Sequence, residues 1–203
     1  MSRNAASRPA RERLLDAAGE LFYEFGIAAT GVDAVLARAR VSPATLYAHF
    51  SGKDGLVAAY LERRFRQWQE IWDEVLDERI HPVDRLLSVF DAVARYREFE
   101  GNRRGCAFLA AAIEVPPGHP AQQWLAADSR LLTERLQHLA EAAGAGDPTR
   151  IADGLLALYD GALARLARQA ATSGLDTGDP LHRTRQMAAD WLTGQVPPAH
   201  PST

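Results

Sequence analysis

Apolar residues in this chain recur three and four positions apart, segment after segment. No stretch sustains the period-2 alternation of a half-buried strand, and no Asn-Gly or Asp-Gly pair is flanked by β-branched runs as a hairpin requires. That spacing restricts the chain to an all-α fold. Residues 10–25 place Leu14, Ala17, Ala18, Leu21, Phe22 and Phe25 on one helical face, and Gly26 ends the segment. Thr30 or Gly31 begins a second helix, with Val32, Val35 and Leu36 inward and Asp33 in the first turn, where the helix dipole favours a carboxylate. Ser42 caps a third helix whose first residue is Pro43, a position where the missing N–H costs nothing.

This third helix is short, because Ser51 and Gly52 stop it. Lys53 then opens a long fourth helix to about residue 78. Further helices are expected from Pro82 to about 100, over 106–114, over 121–143, over 149–171 and from Pro180 to about 193. Asn102–Gly105 reads as a break, and Pro116-Pro117-Gly118 as a stop. The total is about nine helices without an internal repeat. The organisation expected is a three-helix module over 1–55, a helical-bundle body over 56–195 and a frayed tail over 196–203.

The chain has 203 residues, 47% of them hydrophobic and 24% charged, as a globular protein has. Net charge is −3, but residues 1–53 hold 7 Lys+Arg against 5 Asp+Glu, so the front is mildly basic and the remainder acidic. A basic front suits contact with a polyanion. The only lysine is Lys53. A single cysteine, Cys106, excludes an intrachain disulfide framework and fits a reducing compartment. The N-terminus lacks the apolar core of a signal peptide, and the longest apolar run, residues 106–113, is far shorter than the ~20 residues of a membrane span. A cytoplasmic location is expected. The six histidines have no ligand spacing with one another or with Cys106, so no metal site is expected. No nucleophile or acid–base constellation stands out, so neither an enzyme nor a cofactor is expected.

Two short helices joined by a tight turn, over 32–39 and 43–49, have the dimensions of a helix-turn-helix. In that motif the second helix enters the major groove, which is about 12 Å wide and admits only a turn or two. Ser42, Ala44 and Thr45 are small enough to seat such a helix deeply. Tyr47 and His49 can reach phosphates from its flank. Lys53 stands where an ammonium and the unbonded N–H groups of a helix start can both hold a phosphate. Thr30, at the other helix start, is assigned the same task on the opposite backbone. Leu46 and Phe50, four apart, form the core side. Two alternatives stay open: Tyr47 as an aromatic cap on the module core, and His49 as an ordinary surface residue.

The order Gly26, Thr30, Val32, Ala37, Ala39, Val41-Ser42, Thr45-Leu46-Tyr47, His49-Phe50 and Lys53 resembles the DNA-binding signature of the TetR family of bacterial transcriptional regulators. The likeness covers about residues 10–58. It implies a DNA-reading head followed by a helical domain that dimerises and binds a small effector. One position departs from the family pattern, since Arg40 stands where a turn glycine is usual. A non-glycine residue there is mildly strained unless the turn tolerates it or the guanidinium reaches the DNA backbone. Pro43-Ala44 replaces the commoner pair of a cation and glycine, which leaves Ser42, Thr45 and Tyr47 as the main candidates for base readout.

The body is rich in aromatic residues, and simple core packing accounts for part of that load. By resemblance, Trp68, Trp72, Cys106, Phe108, Leu109, Ile113 and Trp124 are expected to line a mostly apolar pocket for an uncharged or weakly polar organic effector. In 149–171 a stripe of small residues, Gly154, Ala157, Gly161 and Ala164, invites close approach of another helix, because glycine within a helix costs ~1 kcal/mol relative to alanine. Together with the final helix and its Trp191, the stripe reads either as a dimer interface, as the family implies, or as tight packing within one chain. The function expected is a homodimeric regulator that binds a pseudo-palindromic double-stranded operator and is released by its effector. The alternatives are a ligand-independent regulator and an all-α small-molecule-binding protein with no role at DNA.

Overall fold

The computed structural model describes residues 8–100, 106–171 and 178–196, the side chain of Glu100 excepted. The expected break over 102–105, the Arg104-Gly105 start of the sixth helix and residues 197–203 of the expected tail lie outside the described residues. Among the described residues there are nine helices and no strand: α1 Ala10–Phe25, α2 Val32–Ala39, α3 Pro43–Phe50, α4 Lys53–Asp77, α5 Pro82–Glu100, α6 Ala107–Glu114, α7 Gln122–Ala142, α8 Pro148–Ala171 and α9 Pro180–Leu192. None of them is long and apolar enough to cross a membrane.

The chain divides into two compact units. One comprises the chain up to Arg66 together with Ala107–Asp128, and the other comprises Gln67–Cys106 and Ser129 onward. The first is larger than the module expected over 1–55, since it takes in α4 as far as Arg66, all of α6 and the start of α7.

In the first unit the apolar stripe of α1 (Leu14, Leu15, Ala18, Leu21 and Phe22) is buried, as are Val35, Leu36 and Ala39 of α2 and Leu46 and Phe50 of α3. Phe22 meets Tyr60 of α4 edge-on, with ring centroids 5.4 Å apart. Arg63 of α4 reaches back to α1, donating to Asp16 at 2.8 Å and to the Leu15 carbonyl at 2.9 Å. Phe25, expected on the inward face, is 58% exposed at the last position of α1.

In the second unit Trp72, Phe90, Leu86, Leu136, Ile151 and Leu155 form the buried centre, drawn from α4, α5, α7 and α8. The Trp72 indole N–H donates to Ser88 Oγ at 2.9 Å, and that hydroxyl donates to the Arg85 carbonyl at 2.6 Å, so these two buried polar groups are satisfied. Arg185 of α9 pairs with Asp91 of α5 at 2.7 Å. Asp179 caps α9 by accepting from the Leu181 N–H at 3.0 Å, with Pro180 at the first helical position.

Candidate nucleic-acid interface

The turn between α2 and α3 is built on a left-handed residue that is not glycine. Arg40 has φ 54° and ψ 53°. Its N–H donates to the Ala37 carbonyl at 3.3 Å, and the Val41 N–H donates to the Leu36 carbonyl at 3.2 Å. This pair of bonds is a Schellman closure, which satisfies the last carbonyls of α2. Arg13 of α1 finishes the task, donating from Nη1 to the Ala39 carbonyl at 3.1 Å and the Arg40 carbonyl at 3.3 Å. The sequence reading missed Arg13, since its contacts lie 26 and 27 residues along the chain.

The turn hands over directly to α3. Ser42 Oγ accepts from the Thr45 N–H at 3.3 Å and lies 2.9 Å from Thr45 Oγ1. Leu46 and Phe50 face the core, while Ser42, Pro43, Ala44, Tyr47, Ala48 and His49 are exposed and Thr45 is half-buried. Tyr47, at 64% exposure, is not a cap on the core. After α3, Ser51 (φ 53°) and Gly52 (φ 112°) turn the chain into α4. Lys53 there donates from Nζ to the Ala28 carbonyl at 3.3 Å.

Thr30 requires a correction. It is buried, and its hydroxyl lies 2.6 Å from the Gly26 carbonyl and 3.2 Å from the Leu21 carbonyl, both acceptors at the α1 end of the turn. The side chain braces the α1–α2 turn, its hydroxyl engaged by these carbonyls; Gly31 is the residue that caps α2. Glu114, the last residue of α6, was also missed: its Oε2 accepts from the Ala28 N–H at 2.6 Å.

Comparison with known proteins decides the family of this helix-turn-helix. The model for bacterial regulatory proteins of the tetR family matches residues 14–60. The whole structure is similar to SCO4454, a TetR-family transcriptional regulator from Streptomyces coelicolor, with a TM-score of 0.75, 30% identity, and coverage of 91% of this chain and 93% of that one. The chain belongs to the TetR family. Among curated relatives, it is 35% identical to the HTH-type transcriptional regulator UidR of Escherichia coli over 85 residues, 40% of this chain and 41% of that protein. The match thus spans less than half the length of that relative. The HTH-type transcriptional repressor DhaR of a Mycobacterium species is 25% identical over 171 residues, covering 79% of this chain and 84% of that protein. The chain is therefore a transcriptional regulator with an N-terminal DNA-binding domain, not an enzyme.

In this TetR-family chain the expected effector-pocket residues fare unevenly. Phe108 and Trp124 belong to the first unit, where Trp124 packs against Phe65 with centroids 5.8 Å apart. Leu109 is 37% and Ile113 89% exposed, so neither lines an interior pocket. The reason is that α6 is apolar all round, and only its Phe108 and Ala111 face turns inward. Trp68 and Trp72 lie in the second unit's core, with Cys106 packed against it. Trp72 has its N–H satisfied and carries the Arg135 guanidinium over its ring at 4.6 Å. Trp68 is 5% exposed, and its indole N–H has no hydrogen-bond partner among the described residues. The rings of Trp72, Tyr96 and Tyr159 surround it at 5.4, 6.1 and 6.4 Å. An open groove of about 630 Å³ in the same unit has a charged lining that includes Asp73, Asp77, Arg85, Glu134, Arg135 and His138.

The small-residue stripe on α8 also divides. A Cβ on Gly154 would stand 2.3 Å from the Trp191 ring, so packing within the chain explains that glycine and half-buries Trp191. Gly161 has nothing within 4 Å of the corresponding position, and Ala157, Gly161 and Ala164 are all exposed.

Proposed function

We propose that the chain is a homodimeric repressor that binds a pseudo-palindromic operator through α3 and leaves it when a small, mostly apolar organic effector occupies the body. The observation that carries the DNA-reading half is the amphipathic split of α3. Leu46 and Phe50 anchor the helix, and Ser42, Ala44, Thr45, Tyr47 and His49 are left on the outer side. Arg40 at its start and Lys53 beyond its end supply cations for the flanking phosphates, which fix register while the small residues meet base edges. The exposed stripe of Ala157, Gly161 and Ala164 supports a two-fold interface in which a second α8 approaches closely.

Trp68 supports the effector half. A buried N–H without an acceptor costs about 1–3 kcal/mol, and an effector that offers a carbonyl or ether oxygen relieves that cost. The aromatic rings around Trp68 suit an apolar frame. Trp68 and Lys53 stand on one helix, α4, so an effector that prefers a shifted α4 lowers operator affinity by its difference in affinity for the two states.

The effector half is tested by retention of DNA fragments with and without a matched pair of probes, acetophenone and the isosteric hydrocarbon α-methylstyrene. The carbonyl probe is expected to bind the body and the hydrocarbon to bind at least fivefold more weakly, and Trp68→Phe is expected to erase the difference. Equal binding of both probes to the wild-type protein would remove the assigned role of Trp68.

A further inference from the structure

Both backbone polar groups of Ala28, in the turn between α1 and α2, are engaged from outside the turn. Its carbonyl accepts from Lys53 Nζ at 3.3 Å. Its N–H donates to Glu114 Oε2 at 2.6 Å, a partner 86 residues away. The other Glu114 oxygen lies 3.0 Å from where a Cβ would stand on Gly26, whose φ is 89°. Gly26 therefore both turns the chain and leaves room for the carboxylate. Five residues further on, His119 Nε2 lies 3.3 Å from Asp54 Oδ1, and His119 Nδ1 accepts from the Ala121 N–H at 3.0 Å. With Nδ1 accepting, the hydrogen-bond network puts the ring proton on Nε2, which donates to Asp54. Within the first unit, the segment 114–119 thus contacts the helix-turn-helix region at two points, the turn ahead of α2 and the first turn of α4.

We infer that Glu114 is a positioning residue for DNA reading: its carboxylate holds the 26–30 turn, and through Ala28 the Lys53 ammonium, in the arrangement that presents α3. The inference rests on the reading of α3 as the DNA-reading helix. Glu114 lies outside the stretch 14–60 that carries the family signature, so no local motif announces it. A hydrogen bond from an amide to a carboxylate is charge-assisted and stronger than a neutral one, and this one is the turn's tie to α6.

Charge alone predicts the opposite consequence of removing this carboxylate. Losing a negative charge from a unit that faces a polyanion should leave DNA binding equal or tighter. Positioning predicts weaker binding whenever the acceptor is withdrawn, whatever the charge.

The experiment measures dissociation constants at several salt concentrations for a duplex selected with the wild-type protein. Amide exchange at Ala28 is followed in the same variants. Glu114→Ala is expected to bind roughly tenfold more weakly, with the salt slope nearly unchanged because every phosphate-reaching cation, Lys53 included, is still present. Glu114→Asp, which keeps the charge but retracts the carboxylate, is expected to weaken binding likewise, and both lose protection at Ala28. Glu114→Gln, which keeps an acceptor in place, is expected to stay within about threefold of the wild type. Binding by Glu114→Ala or Glu114→Asp as tight as by the wild type overturns the inference alone. A wild-type protein that retains no duplex overturns the reading of α3 and this inference with it.

Discussion

A Cβ on Gly55 would stand 1.7 Å from the carbonyl oxygen of Phe50. The first turn of α4 is thereby pressed directly onto the last residue of α3, with Ser51 and Gly52, both at positive φ, making the tight return between them. The backbone carbonyl cannot swing aside as a flexible side chain would. Gly55→Ala is therefore expected to open the α3–α4 turn, at a cost of at least about 3 kcal/mol, or a fall in melting temperature of roughly 10 °C. Thermal unfolding followed by circular dichroism checks this, and a change of less than 2 °C, about the shift that 1 kcal/mol gives in a chain this size, would show that the contact relaxes freely.

Arg40 separates stability from DNA binding. Its left-handed backbone costs a side-chain-bearing residue about 1 kcal/mol relative to glycine, part of which glycine returns through its freer unfolded chain. Arg40→Gly is expected to leave the protein as stable or up to about 1 kcal/mol more stable, because the Schellman bonds and the Arg13 contacts involve only the backbone at 40. If the guanidinium reaches a phosphate, the same variant binds DNA more weakly and its salt slope falls by about 0.9. Unchanged DNA affinity would mean that the turn merely tolerates the arginine.

Tyr47 and Lys53 are expected to behave differently from each other. Lys53→Ala removes a phosphate-reaching cation, so binding should weaken evenly across sequences and the salt slope should drop by about 1. Tyr47→Ala removes an uncharged group 64% exposed on α3, so the slope should hold while affinity falls by about 1–3 kcal/mol, preferentially for the selected sequence. Fluorescence anisotropy over a salt series reads both quantities. Two variants indistinguishable from the wild type would contradict the placement of α3 at DNA.

The helical scaffold was legible in the sequence because its punctuation is local. Pro43, Pro82 and Pro180 open helices where expected, and α1, α4 and α8 run within a residue or so of the ranges that periodicity suggests. The left-handed turn at Arg40 was legible only through the family likeness, which puts a turn glycine at that position. What failed was facing and reach. Residues 107–113 of α6 are apolar without a polar stripe, so nothing in its period reveals that Leu109 and Ile113 point outward. Thr30 sits at a helix start, where a hydroxyl serves equally as a ligand group or as a brace, and only the nearby Gly26 and Leu21 carbonyls decide the matter. Glu114, Arg13 and the Gly154–Trp191 pair make contacts across long sequence separations, which no local pattern encodes.

Asp160 on α8 should leave a pH signature. Desolvation raises its carboxyl pKa above the ordinary 3.8. A raised folded-state pKa means that the native protein holds this proton more tightly than the unfolded chain does. The group therefore imposes no penalty below the unfolded value, and stability is lost as pH rises through the folded-state pKa. Asp160→Asn cannot ionise, so its melting temperature is expected to exceed the wild type's at pH 7 and to converge on it near pH 3.5. A melting temperature for Asp160→Asn below the wild type's at pH 7 would show that the carboxylate is instead stabilised by a partner.

Selection of bound duplexes from a random pool by the purified wild-type protein tests the central claim most directly. A dimer presenting two copies of α3 predicts enrichment of a single pseudo-palindrome whose half-sites are centred about one helical turn apart, or a multiple of it. Recovery of no enriched sequence, or of an unpaired half-site at full affinity, would contradict it.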